Sequence, residues 1–93
     1  MGATIQSIKL TTTDPRIREG RPCIRDTGIR VTDIVMANLY HGRTPSDIAS
    51  DYELDIAKVY AALAYYYEHK SDLDDDIREQ IATARQYKDQ VSG

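Results

Sequence analysis

Apolar residues in the second half of the chain recur at the three- and four-residue spacing of a helix. The first such segment predicts a helix with Thr32 as its N-cap and Gly42 as the residue that ends it. Its apolar residues fall on one side of the helix: Ile34, Val35, Leu39 and Tyr40.

The run Thr44-Pro45-Ser46-Asp47 is the strongest local signal in the chain. It combines an N-cap, a proline at the first helical position and an acidic residue that can bond back to the cap amide. We therefore predict a short helix that runs toward Tyr52. Asp55 then caps a third helix that ends at about His69. The apolar stripe predicted to face the core on this third helix comprises Ile56, Val59, Tyr60, Leu63, Tyr66 and Tyr67.

A different pattern precedes the helices. Ile5, Ile8 and Leu10 alternate imperfectly, which indicates an extended arm. The stretch GRPCIRDTGIRV, residues 20–31, then predicts two short extended segments at 23–25 and 29–31, joined by a turn at 26–28. Gly28 is the predicted positive-φ residue of this hairpin, because glycine adopts that conformation at little cost.

A fourth helix is predicted from about Leu73 to Val91, after Ser71 and an acidic first turn that suits a helix N-terminus. Its apolar residues form a narrow stripe flanked by charges: Leu73, Ile77, Ile81, Ala84 and Val91. Two interpretations stay open. The stripe packs on the protein's own core, or it docks on a partner or a second copy.

These elements predict a single, mainly α-helical domain. Residues 1–31 form an arm and a short β element, residues 32–69 a tri-helical helix-turn-helix core, and residues 70–93 a C-terminal amphipathic helix. A plain three-helix bundle would show similar spacings.

Charge and composition narrow the function classes. The 93 residues contain one Cys and no apolar run long enough to span a bilayer, so we expect a cytoplasmic protein without disulfides or a membrane anchor. Residues 1–50 carry seven basic and five acidic residues, whereas residues 51–93 carry five basic and ten acidic ones. This asymmetry favours two surfaces for two partners.

Catalysis is weakly indicated. Cys23 as a nucleophile would need a base nearby, and the two histidines, His41 and His69, lie at predicted helix ends. One Cys and two distant His are not a metal-ligand pattern. The consecutive Asp74, Asp75 and Asp76 point about 100° apart on a helix and cannot converge on one ion. We expect no enzymatic activity, no metal and no cofactor.

Nucleic-acid binding is better indicated, because basic residues of the N-terminal half can neutralise phosphates. The third helix would read the major groove and the start of the second would hold a phosphate. The candidate DNA-binding residues are Arg25, Arg30, Arg43, Thr44, Ser46, Lys58 and Tyr65. A chain of pI near 5.2 is less basic than a typical DNA reader, and only a dimer on two half-sites would bind tightly.

The succession GRPCIRDTGIRV, a helix, and GRTPSDIASDYELDIAKVYAALAYYYEH resembles the DUF433 family over about residues 12–69. Its most telling parts are Pro22-Cys23-Ile24-Arg25, Asp51-Tyr52 and residues 61–65. Two departures stand out. Asp26 replaces a usual glycine, and Gly28-Ile29-Arg30-Val31 stands where the family usually has Arg-Ile-Pro-Val.

The resemblance implies a homeodomain-like, winged helix-turn-helix fold with a small N-terminal β element, often dimeric. It also implies a role as the antitoxin of a PIN-like ribonuclease encoded nearby. The first hypothesis is therefore a non-enzymatic antitoxin that also binds operator DNA. The partner-binding residues would be Leu73, Ile77, Ile81, Ala84, Arg85, Lys88 and Val91. The alternative is a protein-interaction module or homo-oligomeric helix-turn-helix protein that does not bind DNA.

Overall fold

The computed structural model describes residues 9–92, with side chains up to Lys88, and in this range the chain is mainly helical. Ile5, Ile8 and the side chain of Val91 lie outside the described residues. The elements in chain order are β1 (Thr11–Thr12), a 3-10 turn (Arg18–Gly20), β2 (Cys23–Ile24), α1 (Val31–Leu39), α2 (Pro45–Tyr52), α3 (Ile56–Glu68) and α4 (Lys70–Ser92). None of the helices in this range has an apolar stretch of the length needed to traverse a bilayer.

All four helices and β2 share one apolar core. Its buried residues are Ile24, Val31, Ile34, Val35, Ile48, Val59, Ala62, Tyr66, Leu73 and Ile77. Because α4 contributes two of these residues, the core extends beyond the three helices predicted to form it.

The two-stranded sheet differs from the predicted hairpin. β1 pairs antiparallel with β2, with Thr11 opposite Ile24 and Thr12 opposite Cys23. The predicted partner segment makes a single bridge, between Cys23 and Arg30, and the Ile24 amide donates to the Ile29 carbonyl at 2.8 Å. The hairpin therefore forms in reduced length, and an earlier segment completes the sheet.

The start of α1 corrects the predicted cap. Thr32 lies inside the helix and is buried, and its hydroxyl accepts a hydrogen bond from Gln80 at 3.2 Å. The N-cap is Arg30, whose backbone amide donates to the Asp33 carboxylate at 2.9 Å. The predicted apolar side of α1 was also too wide, since two of its residues, Leu39 and Tyr40, are exposed. Gly42 has the expected positive φ, 67°, although the helix ends three residues earlier.

The start of α2 confirms its prediction. The Asp47 amide donates to the Thr44 hydroxyl at 3.1 Å, and the Thr44 amide donates to the Asp47 carboxylate at 3.2 Å. Pro45 occupies the first helical position. This reciprocal pair satisfies two amides that the helix itself leaves without a partner.

The buried side of α3 is rotated from the predicted stripe. Val59, Ala62 and Tyr66 face the core, and Leu63 is half-buried against it. Three residues predicted to be buried are instead exposed: Ile56, Tyr60 and Tyr67.

α4 follows α3 after a single residue, His69, and begins at Lys70, before the predicted cap Ser71. Asp74 stabilises this junction by accepting hydrogen bonds from the Tyr66 hydroxyl at 2.6 Å and from the Lys70 ammonium at 2.7 Å. The hydrogen bond from Lys70 is the main cause that lowers the pKa of Asp74.

Candidate binding surfaces

The N-terminal end of α2 brings together three predicted DNA-binding residues, Arg43, Thr44 and Ser46. The guanidinium of Arg43 donates to the Asp51 carboxylate at 2.7 and 3.0 Å, and this contact raises the pKa of Arg43. Thr44 forms hydrogen bonds with Asp47, and these hydrogen bonds lower the pKa of the Asp47 carboxyl. The carboxylates of Asp47 and Asp51 therefore offset the charge of Arg43 at the N-terminal end of α2.

Arg30 and Arg25 lie near the hairpin. The half-buried Arg30 side chain donates to Asp33 at 2.9 Å, and this hydrogen bond raises the pKa of Arg30. The Arg25 side chain is exposed, while its backbone amide donates to the Leu10 carbonyl. Arg30 is thus a structural residue at the N-cap of α1, whereas the Arg25 side chain is accessible at the surface.

Lys58 and Tyr65, the residues predicted to read bases, are both half-buried on α3. The Tyr65 ring stacks on His69 at a centroid distance of 4.1 Å. Both rings line a shallow cavity of about 430 Å³, together with Glu68 and residues 9 and 11–13. Neither Lys58 nor Tyr65 lies on the most exposed side of the helix.

The predicted partner-binding residues of α4 divide into two groups. Leu73 and Ile77 are buried in the protein's own core, and Ile81 packs partly against it. This corrects their assignment to a partner surface. Ala84, Arg85 and Lys88 are exposed, so α4 packs on the core with its first half and presents its second half to solvent.

A groove of about 500 Å³ lies where the hairpin meets α4, between two guanidiniums and one side of the helix. Arg21 donates to Asp76 at 3.2 Å across this junction. The lining residues are Arg21, Arg30, Glu79, Gln80, Thr83, Ala84 and Tyr87.

Sequence reasoning did not assign Arg21, Gln80 or Tyr87 to a site. The sequence pattern could have grouped the α4 residues of this groove, because positions 79, 80, 83, 84 and 87 share one side of a helix. No sequence pattern could have added Arg21 to them, since its position beside α4 depends on tertiary packing.

Cys23 is buried in β2. Its thiol donates to the Arg21 carbonyl at 3.4 Å, and burial raises its pKa. Since the thiolate is the nucleophilic form, this environment disfavours attack by Cys23 at neutral pH. Within residues 9–88, no three His, Cys, Asp or Glu side chains are grouped to hold a metal ion.

Comparison with known families matches residues 12–66 to the model described as "Protein of unknown function (DUF433)". The chain belongs to the DUF433 family. The matched residues of this DUF433 protein run from the sheet to the end of the core-facing part of α3, and the whole of α4 lies beyond them. Searches of curated proteins and of solved structures found no significant match.

Proposed function

We propose that this DUF433 protein is a non-enzymatic antitoxin that binds a PIN-like ribonuclease through the second half of α4. The single observation that carries the proposal is the division of α4. Its first half completes the core, whereas residues 82–88 are exposed along the whole circumference of the helix.

A helix that extends into water without packing is marginally stable, because most helical stability in proteins comes from tertiary contacts. A partner surface would provide those contacts. Ala84 continues the side on which Ile77 and Ile81 lie, so the accessible stripe extends directly from the core-facing one.

The charge of this half suits an acidic partner. Arg85 and Lys88 lie within it, and residues 82–88 contain no acidic residue. The resemblance implies a nuclease with an acidic metal site. A cation of α4 placed there would oppose metal binding by its charge, which gives a mechanism for neutralisation.

The experiment is co-purification of the full-length chain with the product of the adjacent gene. We expect the wild-type protein to retain the nuclease, and Ala84→Arg to weaken binding at least about tenfold, because a large charged side chain would disrupt a packed contact. Ala82→Arg is the matched control. It is also an exposed alanine, but two residues away it points to the opposite side of the helix.

Equal effects of the two substitutions would count against the α4 surface. Failure of the wild-type chains to co-purify would count against the antitoxin role itself.

Operator binding through a helix-turn-helix stays a prediction, and the exposed side of α3 favours the alternative without DNA. That side presents Ile56, Tyr60 and Tyr67, and such residues neutralise no phosphates. A gel-shift titration with the upstream DNA tests this point. We expect no specific complex at low salt. A shift whose affinity falls linearly with salt on logarithmic axes would restore the DNA-binding role.

A further inference from the structure

β1 pairs with another strand along only one of its two edges. That edge faces β2, and the far edge of β2 is bridged to Arg30. The Arg25 amide donates to the Leu10 carbonyl at 2.8 Å, which makes residues 10 and 25 a hydrogen-bonded pair. Because such pairs alternate with non-hydrogen-bonded ones in an antiparallel ladder, the N–H and C=O of Thr11 point away from β2.

β2 shows the same alternation. Ile24 lies opposite Thr11, and its amide points away from β1 and donates to the Ile29 carbonyl at 2.8 Å. The corresponding N–H and C=O of Thr11 have no hydrogen-bond partner among residues 9–88. Unpaired backbone groups of an edge strand are a template for a further strand. The outer edge of β1 therefore presents a donor and an acceptor to an added chain.

α3 makes this edge one wall of a groove. The helix contacts both strands, so it packs on a face of the sheet and leaves the outer edge of β1 accessible. The cavity of about 430 Å³ lies beside that edge, and we name it the edge groove. Residues 9 and 11–13 form one wall, and Tyr65, Glu68 and His69 form the other. An edge strand with side-chain pockets beside it is a common binding site for extended peptides.

The edge groove has a surface suited to one side chain of such a peptide. Thr11 and its opposite residue Ile24 share one side of the sheet, and Ile24 is buried in the core to which α3 contributes. A peptide residue paired with Thr11 would place its side chain on that side as well, next to the stacked rings of Tyr65 and His69. This aromatic wall favours an apolar or aromatic side chain.

Charge distinguishes a polypeptide from a nucleic acid as the occupant. Lys9 on the strand wall and Glu68 on the helix wall are both exposed, and neither has an ion-pair partner among the described residues. An acidic peptide residue beside Lys9 would complement its charge. A polyanion would instead meet the carboxylate of Glu68 and the carbonyl oxygen of Thr11, which both repel phosphates.

We propose that the edge groove binds an extended segment of a partner protein, which adds to the outer edge of β1 as a third strand. The segment carries an apolar or aromatic residue opposite Thr11 and an acidic residue beside Lys9. Since β1 is short, few main-chain hydrogen bonds form and binding is expected to be weak. The edge groove involves β1 and α3, so it is separate from the nuclease-binding surface proposed on the second half of α4.

The test begins with a phage-displayed library of random heptapeptides, selected on the full-length protein. The selected peptides are synthesised, and their binding is measured by fluorescence anisotropy. We expect Thr11→Pro to weaken binding at least about tenfold, because proline removes the outward N–H and leaves a peptide carbonyl without its donor. That N–H has no partner among residues 9–88, so the variant should fold, which circular dichroism checks.

A second measurement changes the peptide and does not depend on how a variant folds. N-methylation of one peptide amide at a time should weaken binding at every second residue, since alternate amides of an extended chain face the same edge. His69→Ala should also weaken binding, by about threefold, because it removes one of the two stacked rings. His41→Ala is the matched control, since His41 is also exposed near a helix end but lies outside the edge groove.

A library without any binding peptide would overturn the proposal. So would peptides that bind Thr11→Pro as tightly as the wild type, or whose N-methylation has no alternating effect. Hydrogen exchange of the Thr11 amide is expected to be fast in the free protein and slowed by peptide. Slow exchange before peptide is added would show that the chain itself covers the edge, against the proposal. Ala84→Arg separates the two proposals, because it should keep peptide binding while it weakens nuclease binding.

Discussion

Asp26 occupies a left-handed backbone conformation, with a φ of 62°, in the turn between Cys23 and Arg30. Such a conformation is costly for residues with a side chain, and least so for glycine, asparagine and aspartate. Gly28, the predicted positive-φ residue, does not adopt it. The turn is also held by Thr27, whose hydroxyl donates to the Ile24 carbonyl at 2.8 Å and accepts from the Ile29 amide. A glycine at position 26 would therefore fit this backbone without that cost.

We predict that Asp26→Gly stabilises the protein by about 0.5–1 kcal/mol, because it relieves the left-handed conformation at a small cost in backbone entropy. Gly28→Ala should be nearly neutral, since the nearest heavy atom to an added Cβ is 3.9 Å away. Urea unfolding of both variants measures the difference. A loss of stability in Asp26→Gly would show that the Asp26 side chain has a role of its own.

Cys23 provides a pH-dependent prediction at the same scale. Burial raises the pKa of its thiol, so the folded state keeps the proton to higher pH than the unfolded chain does. Its contribution is fully present below the unfolded pKa of about 8.5 and is lost as the pH rises above it. We expect the stability of the wild type to fall more between neutral pH and pH of about 10 than that of Cys23→Ala. Urea unfolding at several pH values measures this, and parallel curves would contradict it.

The elements show which local signals decide structure. Thr44 and Asp47 form the predicted capping box because both partners are three residues apart in the sequence. Thr32 does not cap α1, because the bridge between Cys23 and Arg30 sets where that helix begins. On α3, apolar residues occupy most of the circumference, so the stripe selected by periodicity alone is only partly buried: Val59 and Tyr66 face the core, whereas Ile56, Tyr60 and Tyr67 do not.

The rotated burial of α3 makes an element-scale prediction. Val59→Ala should destabilise the monomer by about 2 kcal/mol, because it leaves a cavity in the core. Ile56→Ala, which removes more atoms from an exposed site, should cost less than about 1 kcal/mol. Thermal or urea unfolding compares the two variants. The reverse order would restore the burial of Ile56 that the sequence pattern predicts.

At the scale of the whole molecule, the first half of α4 completes the domain. Leu73 and Ile77 fill the core, and contacts from distant parts of the chain hold the helix: Arg21 to Asp76, and Gln80 to Thr32. The domain therefore does not end at residue 69, and an independent unit must include α4 to about Ile81.

We predict that a chain ending at Ile81 unfolds with nearly the stability of the full-length protein, because residues 82–88 are exposed. A chain ending at His69 should be largely unfolded, since loss of two buried residues costs several kcal/mol against a typical stability of about 5–15 kcal/mol. Circular dichroism with thermal unfolding tests both chains. A stable fold in the shorter chain would show that α4 is dispensable for the core.

The sequence by itself determined what depends on neighbours along the chain: the cap and course of α2, the existence of the four helices, the uneven charge and the family. These follow from residues within a turn or two of one another. Tertiary structure alone decided which face of α3 is buried, which residue of the hairpin turn takes a positive φ, and where α4 leaves the core. Each of these choices depends on which distant surfaces pack together. An apolar pattern that fits several faces of a helix equally well does not determine which of those faces packs.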